Sequence, residues 1–130
     1  LQISILEYSA IAYFKKNKLI YLINDNFKNS LIDNNANLEN LIEVKNMKNM
    51  KDFKTFFLKI TNEDVFFSKI KVINYVHDGR WDVVLKNGQL IKLGNYNLNK
   101  QVKYLNFILN NQTAKIIDLR YEGRVILANE

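Results

Sequence analysis

The 130-residue chain has no cysteine and no proline, only four glycines and a single histidine. Without cysteine there is no thiol nucleophile, no thiolate-held metal and no disulfide. One histidine does not by itself make a zinc site. Without proline, turns fall to Asn, Asp and Gly. The glycines, at positions 79, 88, 94 and 123, stand too far apart for a phosphate-cradling loop and read as turns or bulges. No apolar run approaches the ~20 residues of a membrane-spanning helix. The chain begins at Leu1, inside an alternating apolar stretch and without an initiator Met, and reads as a fragment of a longer protein.

What is present is the make-up of a globular domain, with 48% hydrophobic and 25% charged residues. Nineteen basic against thirteen acidic residues give a net charge of +6. The lysines are scattered, which fits a solvated surface; the sharper reading is attraction to an acidic or anionic partner. A nucleic-acid platform needs aromatic and basic residues interleaved on one strand face. Arg120 and Tyr121, adjacent in a strand-like run, point to opposite faces, and no nucleic-acid partner is expected. No Gly-x-Ser-x-Gly elbow exists to set up a nucleophile. His77 beside Asp78 and Gly79 reads as a turn residue. Glu63 and Asp64 read as a helix cap rather than an acid/base pair. No enzymatic activity, catalytic residue, cofactor or metal is expected.

The pattern along the chain predicts an α+β fold, an antiparallel sheet with helices on one face. Residues 10–14 and 19–23 are β-favourable runs joined by a polar tip, Lys15-Lys16-Asn17-Lys18. Residues 1–5 alternate like a half-buried strand, and Asn24-Asp25-Asn26 marks a turn. Residues 28–46 are polar and irregular. Met50, Phe53, Phe57 and Ile60 make one helical face, followed by a short turn at 65–67. Ile70, Val72 and Val76 read as one face of a strand, with Ile73 and Tyr75 on the other. Trp81, Val83 and Leu85, then Asn87-Gly88, then 89–93 form a hairpin signal with both turn positions at positive φ. Leu98, Val102, Leu105 and Leu109 make an amphipathic helix capped near Asn95 or Asn97. Residues 116–121 and 125–127 read as strands broken at Gly123. Trp81 and Leu119 are expected in the core.

Three segments in this order resemble a known family. They are Gly79-Arg80-Trp81 through Asn87-Gly88-Gln89 with Ile91-Lys92-Leu93-Gly94, the helix at 98–109, and Ile117-Asp118-Leu119-Arg120-Tyr121. The pattern resembles the bacterial cell-division protein family FtsQ/DivIB. Upstream, Glu7-Tyr8-Ser9-Ala10-Ile11-Ala12 is similar to that family's Glu-x-x-Pro-x-Ala, with Ala10 where proline is usual. Residues 19–26 resemble the following segment, with Asn24 for aspartate and no glycine.

The resemblance implies a non-catalytic scaffold of the divisome: a single-pass inner-membrane protein with this fragment in the periplasm, at the division septum. It implies residues 1–45 as the C-terminal part of a POTRA-like domain and linker, and 46–130 as the β domain. The membrane would be met only through a transmembrane helix absent from this fragment. The implied partners are FtsB-like and FtsL-like division proteins and, indirectly, the FtsW/FtsI septal synthase. A strand of the FtsB-like partner would add to the last strand. The matching positions are Arg120, Tyr121, Gly123, Val125, Ile126 and Leu127, with Arg80 beside the adjoining partner helix. The plainer reading has Tyr121 packed on its own sheet and Arg120 paired with Asp118 or Asp82. The alternative function is a POTRA-type binding module of another envelope assembly or secretion system, although no internal repeat is visible.

Overall fold

The computed structural model describes residues 10–129. Its elements are β1 (Ala10–Lys16), β2 (Leu19–Asn24), β3 (Asn29–Ile32), β4 (Ile42–Lys45), α1 (Met50–Ile60), α2 (Asp64–Ser68), β5 (Ile70–His77), β6 (Arg80–Leu85), β7 (Leu90–Leu93), α3 (Leu98–Ile108), β8 (Ile116–Leu119) and β9 (Ile126–Ala128). The strands form one sheet in the order β3-β2-β1-β4-β5-β6-β7-β8-β9. The alternating stretch at 1–5 and the Glu7–Ser9 part of the family motif lie outside the described residues.

The α+β class holds, with a sheet that is mixed rather than wholly antiparallel. β1–β4, β4–β5 and β7–β8 are parallel pairs. Parallel neighbours need a crossover, which brings the chain back to start in the same direction. Here α1 with α2 makes the crossover from β4 to β5, and α3 makes it from β7 to β8. β1 to β4, within the stretch that the resemblance gives to a POTRA-like domain and linker, pair into the same sheet as β5 to β9. β3 and β4, inside the stretch read as irregular, are four-residue strands too short to show a period.

All three helices and the inward side chains of the sheet share one core, in which Phe53, Phe66, Ile73, Val83, Ile91 and Ile117 are fully buried. Trp81 anchors it, stacked on Phe56 with centroids 5.0 Å apart and edge-on to Tyr75 at 5.1 Å. In β5 the register shifts between Ile70 and Val72, so Ile70, opposite Leu85, and Ile73, opposite Val83, are both buried. That bulge overrides the simple alternation, which put the two isoleucines on opposite faces.

The turns obey backbone chemistry. Asn17 and Lys18 (φ 53° and 67°) and Asp78 and Gly79 (φ 51° and 78°) are the two-residue hairpin loops with both positions left-handed. At Asn87-Gly88 only Gly88 is left-handed, at φ 94°. Its N–H donates to the Leu85 carbonyl, and Asn87 Oδ1 accepts from the Gln89 N–H. This is a turn with a glycine bulge rather than the expected doubly left-handed loop. Among the described residues, no helix is long and apolar enough to cross a membrane.

Candidate functional site

Among the described residues β9 ends the sheet opposite β3, with β8 on one side of its backbone and no strand on the other. β8 leads into it through the turn Tyr121–Arg124, closed by the Arg124 N–H on the Tyr121 carbonyl (3.1 Å), with Gly123 at φ 76°. Only glycine takes that third position without strain. β9 pairs antiparallel to β8, Ile126 opposite Asp118 and Leu127 opposite Ile117. Val125 precedes the strand.

This corner of the sheet is apolar and exposed. Tyr121 is 51% exposed, Ile126 39% and Leu127 48%, with Val125 beside them. Tyr121 is thus half covered and half open to solvent. Arg120 does pair with Asp118. Its Nε donates to Asp118 Oδ1 (2.9 Å) and Oδ2 (3.1 Å), and its Nη2 to Oδ2 (2.7 Å). The Arg120 N–H also donates to Oδ1. The guanidinium then lies 5.4 Å from the centre of the Tyr121 ring. Burial of Asp118 pushes its pKa up, but the Arg120 hydrogen bonds and charge, helped by Lys92, outweigh it and hold the carboxyl below its ordinary range. Hydrogen bonding to Asp118 raises Arg120 in turn, against a smaller opposing effect of desolvation.

Asp118 ends a ladder of alternating charge on the helix-free face. Asp82 of β6 is opposite Lys92 of β7, which is opposite Asp118 of β8. Opposite charges across strands support the register. Arg80 closes the far end, its Nη1 donating to Asp82 Oδ1 and to the Leu93 carbonyl, both at 3.0 Å. Arg80 is therefore not brought to the β9 edge: β7 and β8 lie between, and its side chain is nearly buried.

A clamp behind the corner was not foreseen from the sequence. Tyr96 Oη donates to the Leu119 carbonyl (2.7 Å), and Gln101, buried in α3, accepts from the Gly94 N–H (2.8 Å) and donates to the Gly94 and Tyr96 carbonyls. Burial raises the Tyr96 pKa, with Glu122 and Asp118 adding to it. A Cβ on Gly94 would meet the Arg120 carbonyl oxygen at 2.8 Å. The sequence signal was Gly94 itself, placed between a strand and a helix.

His77, the last residue of β5, is exposed, 3.2 Å from Asp78. Among the described residues, no group of three or more His, Cys, Asp or Glu could hold a metal ion. A cleft of about 660 Å³ between α1 and the β7–α3 loop is lined by three asparagines, Lys48, Lys59, Asp52 and Asp78, together with the rings of Phe56, Tyr75, Trp81 and Tyr96.

No curated protein matches the chain. The family model described as cell division protein FtsQ/DivIB, C-terminal, matches residues 12–120, on both sides of position 45. With that match over most of its length, the chain belongs to the FtsQ/DivIB family of cell-division proteins.

Proposed function

We propose that this chain is a non-catalytic divisome scaffold whose β9 edge receives a strand from an FtsB-like partner. The single observation that carries the reading is the state of that edge: a three-residue outer strand whose Ile126 and Leu127 side chains are exposed beside Tyr121. An unpaired strand edge is a template for another chain, and main-chain hydrogen bonds there give affinity while side-chain contacts give specificity. Protective devices such as proline or an inward charge are absent from 125–128. Membership of a cell-division family supplies the kind of partner.

In this reading Arg120 and Gly123 shape the corner rather than bind through free groups. Arg120 is held by Asp118, and Gly123 permits the turn that sends β9 back along β8. Arg80, held by Asp82 and the Leu93 carbonyl, would meet the adjoining partner helix away from the β9 edge. FtsL-like and FtsW/FtsI proteins would be reached through the FtsB-like strand. The chain would stand in the periplasm at the septum, tethered to the inner membrane, with residues 1–45 closing a POTRA-like region.

The test is a titration of the chain with the periplasmic segment of an FtsB-like protein, followed by backbone amide resonances. Perturbations should concentrate at 121–128 and in β8, with slowed amide exchange in β9. Perturbations confined to β3, the opposite edge, would move the site and sink this assignment.

A further inference from the structure

The outward surface of the helix layer carries a charge imbalance that the division reading does not use. α1 and α3 hold Lys51, Lys54, Lys59, Lys100 and Lys103 against one carboxylate, Asp52. These two helices thus supply +4 of the chain's net +6. Among the described residues the ion pairs are His77–Asp78, Arg80–Asp82 and Arg120–Asp118, and none involves a lysine of these helices. Lys54 is otherwise occupied, 5.5 Å above the Phe27 ring.

Three of the lysines converge. Lys59 at the end of α1 and Lys100 and Lys103 on α3 line a groove of about 290 Å³ with Glu63, Asn62, Asn97 and Asn99. On α3 the exposed stripe continues at helical spacing from Lys100 and Lys103 to Tyr104 and Phe107. Phe107 is 82% exposed, the most exposed large apolar side chain among the described residues, and Leu58, next to Lys59, is 49% exposed.

Lysines followed along one helix surface by projecting aromatic side chains are the chemistry of an anionic lipid interface, where lysines meet phosphate and apolar groups enter the acyl boundary. We infer that the α1–α3 surface docks on an anionic phospholipid bilayer, with headgroup phosphate at the Lys59–Lys100–Lys103 groove and Phe107 inserted below it. The surface bears lysine and no arginine. A compact ammonium charge suits a diffuse field of phosphates, whereas a partner protein's placed carboxylates favour the arginine fork. This surface is distinct from the β9 edge and stands or falls independently of it.

The experiment is co-sedimentation of the chain with vesicles of phosphatidylcholine, with or without phosphatidylglycerol. The parent should bind the phosphatidylglycerol vesicles, bind phosphatidylcholine far less, and release as salt screens the surface. Each lysine near such a surface is worth about fivefold in affinity, so K100Q/K103Q should weaken binding about twenty-five-fold. F107A should weaken it severalfold with an unchanged melting temperature, since its side chain is exposed. K15Q/K16Q, at the β1–β2 tip, removes the same net charge and should lose little. Equal loss in K15Q/K16Q, equal binding to both vesicle types, or retention only by an acidic polypeptide or an oligonucleotide would each overturn the inference.

Discussion

Arg120 holds both carboxylate oxygens of Asp118, two residues before it, and the same carboxylate accepts the Arg120 backbone N–H. The pair thereby fixes the path of the chain as it leaves β8 for the exposed corner. Asp118 has a folded pKa below its unfolded value of about 3.9. Its contribution to stability is therefore complete above that unfolded value and is lost as pH falls through the lower folded one. Asp118→Asn should melt below the parent at neutral pH, and the two melting curves should converge on acidification. Parallel curves from neutral to strongly acidic pH would show that the pair contributes nothing.

Gly94 directly follows β7, at the start of the loop into α3. A methyl group there would stand 2.8 Å from both the Arg120 carbonyl oxygen and Tyr96 Cε1. The carbonyl is main chain and cannot swing aside. Gly94→Ala should cost ~1–3 kcal/mol, the usual penalty of overpacking. It should also disturb amide resonances at 119–122. Thermal unfolding and a backbone spectrum check both; an unperturbed corner would show that the loop yields instead.

Trp81 stacks on Phe56, lies tilted against Phe53 and meets Tyr75 edge-on. It is 5% exposed. Trp81→Ala should cost ~3–5 kcal/mol, from lost burial and the cavity left behind. Denaturant unfolding with an unchanged midpoint would contradict the role of the indole in joining α1 to the sheet.

What the sequence made legible follows from how local each signal is. The Leu98–Leu109 stripe, the Asn17 and Asp78-Gly79 turns and the Trp81 strand are set by neighbours in the chain, and the structure has them. The parallel pairs were invisible because a crossover decides them, not the residues of β4 or β8. The Ile70–Ile73 bulge depends on the partner strand, so period-two counting failed there. At the site, the apolar run Val125-Ile126-Leu127 could be read directly, and Asp118 was one of two partners weighed for Arg120. The Tyr96 and Gln101 clamp could not. Gln101 occupies an inward position of α3, and its partners are carbonyl and N–H groups that only the folded loop brings to it.

The strand-addition reading makes its sharpest prediction with proline. Conservative side-chain changes are poor probes of main-chain pairing, whereas proline removes one N–H and fixes φ. Val125 lies outside β9, so the informative pair is Ile126 and Leu127. Of two adjacent residues in a strand, one directs its N–H to the neighbouring strand, here β8, and the other directs it outward. Proline at the outward position should abolish capture of an FtsB-like segment with little change in melting temperature. Proline at the inward position removes a ladder bond with β8 and should lower the melting temperature. Tyr121→Ala tests the side-chain half: an exposed aromatic beside a docking strand is of the hot-spot kind, and its loss should cost ~2 kcal/mol or more of binding. Calorimetric titration of the three folded variants separates these effects. Binding at the parent's affinity by Tyr121→Ala and by both proline variants would falsify strand addition at β9 while leaving the family assignment intact.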